Sequence, residues 1–211
     1  MITVRPVLEI CAPEGFDLWP VAAAEPYTFL PLGGELTQDE IGTAVMALAS
    51  CNDLDPDDDR PPRPADPLGG FLHGLLTMDP LFASGGLRVT DTATGAVLVP
   101  GCCSGLEDRG DWWEVLDGDG WAGFGHNPSP VAERYGETVR LTVDSDAEAS
   151  PVIEVSVPEL RRLLTQAEHE VAAFLHQAAL WTARQLPDRS EQVSRAIKRA
   201  LTLPTPGTSG P

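Results

Sequence analysis

The sequence is almost without lysine: Lys198 is the single Lys among 14 basic residues, and these face 32 acids for a net charge of −18 at pH 7. A field of that sign repels phosphate backbones and anionic bilayers, so direct binding to nucleic acid or to a membrane surface is not expected. No apolar run approaches the roughly 18 residues of a membrane span. The opening Met1-Ile-Thr-Val-Arg-Pro6 lacks the basic-then-apolar pattern of a secretion signal. Cysteine is scarce too, with Cys11, Cys51, Cys102 and Cys103 too few to staple a chain of 211 residues. These shortages together predict a cytoplasmic protein with reduced thiols.

What is present is unevenly placed. Residues 1–150 carry 26 acids against 7 Arg, a net of −19, whereas residues 151–211 carry 6 acids against 7 basic groups. A hydrophobic share of 42% with 20 Gly and 20 Pro predicts a folded protein with long loops.

Residues 2–10 (ITVRPVLEI) are β-branched and read as a strand, part of which Pro6 demotes to an edge or a bulge. Residues 27–32 read as a short second strand. Thr37 and Glu40 form a capping box ahead of Ile41, Val45, Leu48 and Ala49, which predicts a helix over 37–51. The loop 52–67 places Asp53, Asp55, Asp57 and Asp59 at alternating EF-hand positions. It has Asp58 where that template needs Gly and Pro64 where it needs a bidentate Glu, so calcium is not expected. Residues 68–78 suggest a second helix, with His73 partly buried in it.

Hairpins are predicted over 87–99 and 131–143, and a strand over 152–157. Ser156 and Glu159 suggest another capping box. The helix behind it carries Leu160, Leu164, Ala167, Val171, Phe174, Ala178 and Trp181 on one seam, for packing on a sheet or for a homodimer through residues 158–186. These elements predict one α+β domain over 1–186. Its largely antiparallel sheet has about 5–7 strands, with the long helix and one or two others on one face. A short basic helix over 187–202 and a disordered tail over 203–211 complete the expectation.

The chemistry gathers in residues 95–130, which hold Cys102, Cys103, His126, Trp112, Trp113 and Trp121 among many acids. Thiolate and imidazole are zinc ligands, and Cys102, Cys103 and His126 are the candidate set. Structural zinc sites usually space their cysteines by two to four residues, and adjacent side chains diverge on an extended backbone. A nucleophilic reading takes Cys103 or Ser104 with His126 as base and Glu107, Asp108 or Asp111 as the third group. The turn around Ser104 is not Gly-x-Ser-x-Gly, because Gly101 precedes the serine by three residues. The acids Glu107, Asp108, Asp111, Glu114, Asp117 and Asp119 are too numerous for any one pair to be diagnostic. Exposed aromatics ringed by acids have the composition of a protein-recognition patch.

The segments Gly101-Cys-Cys-Ser-Gly-Leu-Glu-Asp108, Asp111-Trp112, Gly125-His126-Asn-Pro128 and Pro130 resemble a set of actinobacterial proteins of similar length. In them a GCC-small-GLED-W segment precedes a G-H-x-P segment and a late helix. The resemblance spans roughly residues 95–185, and no activity is established for the set. In overall habit the chain is also similar to polymorphic-toxin immunity proteins.

The expectation is a non-enzymatic, acidic interaction module of the immunity or regulatory-inhibitor type, with no cofactor. It binds a basic protein partner through Glu107, Asp108, Asp111, Trp112, Trp113, Glu114, Trp121 and His126. The alternative is a metal-dependent or thiol hydrolase centred on Cys102, Cys103 and His126.

Overall fold

The structure, a computed structural model, describes residues 1–11, 13–55 and 60–202. It is α+β, as the order of elements predicts. Among the described residues, eight strands form two four-stranded sheets where the sequence suggested one, ordered β2-β1-β3-β4 and β5-β6-β7-β8. The chain divides into two compact units, each built from separated segments: residues 1–7 with 85–170, and residues 8–84 with 171–202. Strand β1 (Ile2–Glu9) and helix α4 (Val157–Gln185) each run from one unit into the other. β1, eight residues long, stands between β2 and β3 in its sheet.

In the second unit, β2 (Phe29–Pro31) leads to α1 (Gln38–Ser50). The capping box forms as expected: the Thr37 hydroxyl accepts from the Glu40 N–H at 3.2 Å, and Glu40 Oε2 accepts from the Thr37 N–H at 2.8 Å. Those bonds favour the ionised carboxylate, so the Glu40 pKa lies below its ordinary value. Every residue from Ile41 to Ala49 is buried, which is how a helix without a polar face satisfies itself. α2 (Pro67–Thr77) crosses so closely that a Cβ on Gly74 would lie 1.7 Å from the Asn52 carbonyl oxygen.

Asn52 is fully buried at the end of α1. Its Nδ2 donates to Leu48 O at 2.8 Å and Phe82 O at 2.7 Å, and its Oδ1 accepts from the Phe82 N–H at 2.9 Å. His73 is buried, with Nε2 2.8 Å from Pro61 O. Trp19, Phe16, Phe71 and Trp181 form an aromatic cluster at centroid spacings of 4.8–5.7 Å. α5 (Ser190–Leu201) is amphipathic and buries Val193, Ile197 and Leu201.

In the first unit, β3 (Gly85–Asp91) and β4 (Val97–Leu98) make the first hairpin, with Val89 opposite Leu98. A 3₁₀ helix (Leu106–Gly110) leads into α3 (Asp111–Asp117). The second sheet is an antiparallel meander of β5 (Trp121–Gly123), β6 (Val131–Tyr135), β7 (Thr138–Thr142) and β8 (Val152–Ser156). Its register sorts the two faces. Ala122, Ala132, Leu141 and Ile153 form a buried row across the four strands. Trp121, Glu133, Arg140 and Glu154 form the neighbouring row on the opposite face.

All seven seam residues of α4 are buried: Leu160, Leu164 and Ala167 in the first unit, Val171, Phe174, Ala178 and Trp181 in the second. The seam is thus packed inside the chain, and a homodimer through 158–186 would have to use another face of α4. At the helix start the Glu159 N–H donates to Ser156 Oγ at 3.3 Å. The Glu159 carboxylate turns to Arg162 at 2.8 and 3.0 Å, so the second box is formed on its serine side. No helix among the described residues is long and apolar enough to cross a membrane.

Of the acids in the calcium template, Asp57, Asp58 and Asp59 lie outside the described residues. Asp53 and Asp55 pair with Arg63. The tail at 203–211 also lies outside the described residues.

Candidate functional site

The candidate site is built within the first unit, where two loops meet. Residue 102 bridges residue 126 in antiparallel fashion: the Cys102 N–H donates to His126 O at 2.6 Å, and the His126 N–H donates to Cys102 O at 3.2 Å. Only glycine permits this approach. A Cβ on Gly101 would lie 2.1 Å from Pro128 O, and one on Gly125, at φ +93°, would lie 2.6 Å from Cys102 O.

Cys103 then adopts φ +65°, the left-handed region that non-glycine residues seldom occupy. The rule that neighbouring side chains diverge on an extended backbone therefore does not apply to this pair. Cys102 Sγ and Cys103 Sγ lie 3.5 Å apart. With a ring nitrogen of His126, one ligand atom from each residue falls within 4.8 Å of the others, and all three residues are exposed. None of the four cysteines is in a disulfide. Asn127, at φ +51°, places its Nδ2 3.5 Å from His126 Nδ1. Ser104 is buried, so it offers no open approach as a nucleophile.

The acidic residues lie just beyond. The 3₁₀ helix and α3 present Asp108, Asp111 and Glu114 at three-residue intervals, all exposed. Glu107 is half-buried, its carboxylate folded back over Gly105. This run is anchored by Arg109, which is buried. Its Nε and Nη2 donate to Glu168 Oε1 and Oε2 at 2.8 and 2.9 Å, and its Nη1 donates to Leu106 O at 2.8 Å.

The acids of α3 divide in two. Asp117 pairs with Arg161, which lowers the Asp117 pKa; the same guanidinium lies 5.7 Å from the Trp113 ring centroid. Asp108, Asp111 and Glu114 have no basic partner within salt-bridge distance among the described residues. Partial withdrawal from water, then the charges of Asp108 and Glu114, hold the Asp111 carboxyl above its ordinary pKa.

The tryptophans separate as adjacent positions on a helix must, about 100° apart. Trp112 is buried and stacked on Phe124 at 4.2 Å and 10°, so it belongs to the core and is removed from the binding face. Trp113 is half-buried. Trp121 is 57% exposed on β5, a strand at the edge of its sheet that the Gly-rich run from Gly118 to Gly125 does not announce. Its ring lies over Gly123, where a Cβ would meet it at 3.2 Å. Tyr135, 59% exposed, shares that sheet face by its register.

Comparisons of the chain with protein families, with curated proteins and with solved structures find no match. The functional argument therefore rests on these residues.

Proposed function

We propose that the chain is a non-enzymatic recognition module, of the immunity or regulatory-inhibitor type, that binds a basic protein. The face runs along Asp108, Asp111 and Glu114, with Trp113 and Trp121 as its aromatic contacts. The observation that carries the reading is Asp111. Four carboxylates of the unit are matched by arginines: Glu168 by Arg109, Asp117 by Arg161, Glu159 by Arg162 and Glu170 by Arg5. Around Asp111, Asp108 and Glu114 have no basic partner among the described residues, and partial burial first, then their charges, raises the Asp111 carboxyl's pKa. A cation from outside would relieve that repulsion, and such charge arrangements steer encounter. Trp121 supplies what charge lacks, a large amphipathic surface of the kind that dominates interface energies.

The test is affinity capture of the tagged protein from its native host, repeated with an Asp108→Lys/Asp111→Lys variant. A basic protein retained by the native chain and lost by the variant supports the reading. Equal retention by both removes the acidic face from it. The hydrolase alternative draws only on the convergence of Cys102, Cys103 and His126, which reaches as far as a ligand set.

A further inference from the structure

We propose that Cys102, Cys103 and His126 form a zinc site with three protein ligands and an open fourth position. The inference is independent of the acidic recognition face. It rests on donor chemistry and geometry.

Two thiolates and an imidazole are a borderline-soft donor set, suited to Zn²⁺ and unsuited to Ca²⁺ or Mg²⁺. A tetrahedral ion with Zn–S near 2.3 Å holds its two sulfurs about 3.8 Å apart. The Cys102 and Cys103 sulfurs already stand 3.5 Å apart, and the whole donor set lies within 4.8 Å. Small rotations of exposed side chains would close it around one ion. A linear two-sulfur ion would hold its sulfurs farther apart, so the spacing favours a tetrahedral centre. No fourth His, Cys, Asp or Glu joins the cluster among the described residues. The remaining position would then belong to water or an incoming group, the arrangement of a reactive or exchangeable zinc in place of a closed structural one.

The backbone is arranged for this convergence. Cys103 and Asn127 sit at φ +65° and +51°, and the reciprocal hydrogen bonds between residues 102 and 126 fix the two loops to each other. A non-glycine residue such as Cys103 seldom adopts this left-handed region, and such positions cluster where geometry serves function. Binding displaces the two thiol protons, so affinity rises with pH.

The experiment titrates reduced, chelator-stripped full-length protein with Co²⁺ under anaerobic conditions, then with Zn²⁺. One Co²⁺ per chain is expected, with thiolate-to-cobalt charge-transfer absorption that Zn²⁺ abolishes. Cys102→Ser, Cys103→Ser and His126→Ala should each weaken binding by at least the ~100-fold at the upper end of outer-shell losses. Cys11→Ser should leave it unchanged. Because the three residues are exposed, each variant should keep the native melting temperature. As a second readout, Zn²⁺ should protect Cys102 and Cys103, and not Cys11, from alkylation as mapped by mass spectrometry. Absence of the charge-transfer band at one equivalent overturns the site. So does a band that survives both cysteine substitutions.

Discussion

Arg109 and Glu168, 59 residues apart in sequence, share two parallel hydrogen bonds at 2.8 and 2.9 Å, and this fork ties the acidic segment to α4. The guanidinium is buried while the carboxylate keeps about a third of its surface exposed. Replacing Arg109 by Ala leaves Leu106 O and Glu168 without their donor. The expected loss is about 2–4 kcal/mol, at or below the range for a fully buried pair because Glu168 remains hydrated. Denaturant unfolding of Arg109→Ala checks this. A loss under about 0.5 kcal/mol would show that the fork is not an anchor.

Asp111 should trade stability for binding. Its folded pKa lies above the unfolded value, so the folded state holds the proton more tightly. The ionised group is therefore unfavourable at neutral pH, and that cost fades as pH falls through the folded pKa. Asp111→Asn should raise the melting temperature at pH 7, with a smaller gain at pH 4, while weakening capture of the basic partner. A lower melting temperature at pH 7 would contradict the assigned repulsion.

The exposed Trp121 should behave oppositely to the buried Trp112. Trp112→Ala removes a buried ring stacked on Phe124 and should cost about 3–5 kcal/mol. Trp121→Ala removes a 57% exposed ring and should change stability by no more than about 0.5 kcal/mol. It should nevertheless weaken partner binding by about 2 kcal/mol or more.

Asn52 is the joint of the second unit. Asn52→Ala leaves the part-buried Phe82 N–H without its acceptor and takes the amide donor from Leu48 O and Phe82 O, which keep the Cys51 thiol as a side-chain donor. A loss of about 2–3 kcal/mol is expected from that desolvation, measured by chemical denaturation.

What the sequence disclosed follows from what is local. The Thr37–Glu40 box and the seam from Leu160 to Trp181 are set by spacing along one helix, and the structure has both. The two predicted hairpins also stand where alternation and turn residues placed them. What depends on distant partners was hidden. The Arg109–Glu168 fork joins residues that no periodicity connects. Strand β5 is three residues long and exists through its pairing with β6.

The site followed the same division. Its residues were visible as a concentration of Cys, His, Trp and acids. Two facts were not: that Trp112 turns inward, and that Cys103 leaves the extended region at φ +65°. A cysteine gives no local signal for that conformation, as Gly or Asn would. The argument from diverging neighbours failed for that reason.

The central claim is electrostatic recognition, and the association rate with the captured partner tests it most directly. The account predicts an on-rate that falls at least about tenfold as ionic strength rises past the screening of surface charge. It also predicts a slower on-rate for Asp108→Lys/Asp111→Lys at low salt. An on-rate indifferent to both salt and those substitutions would contradict it.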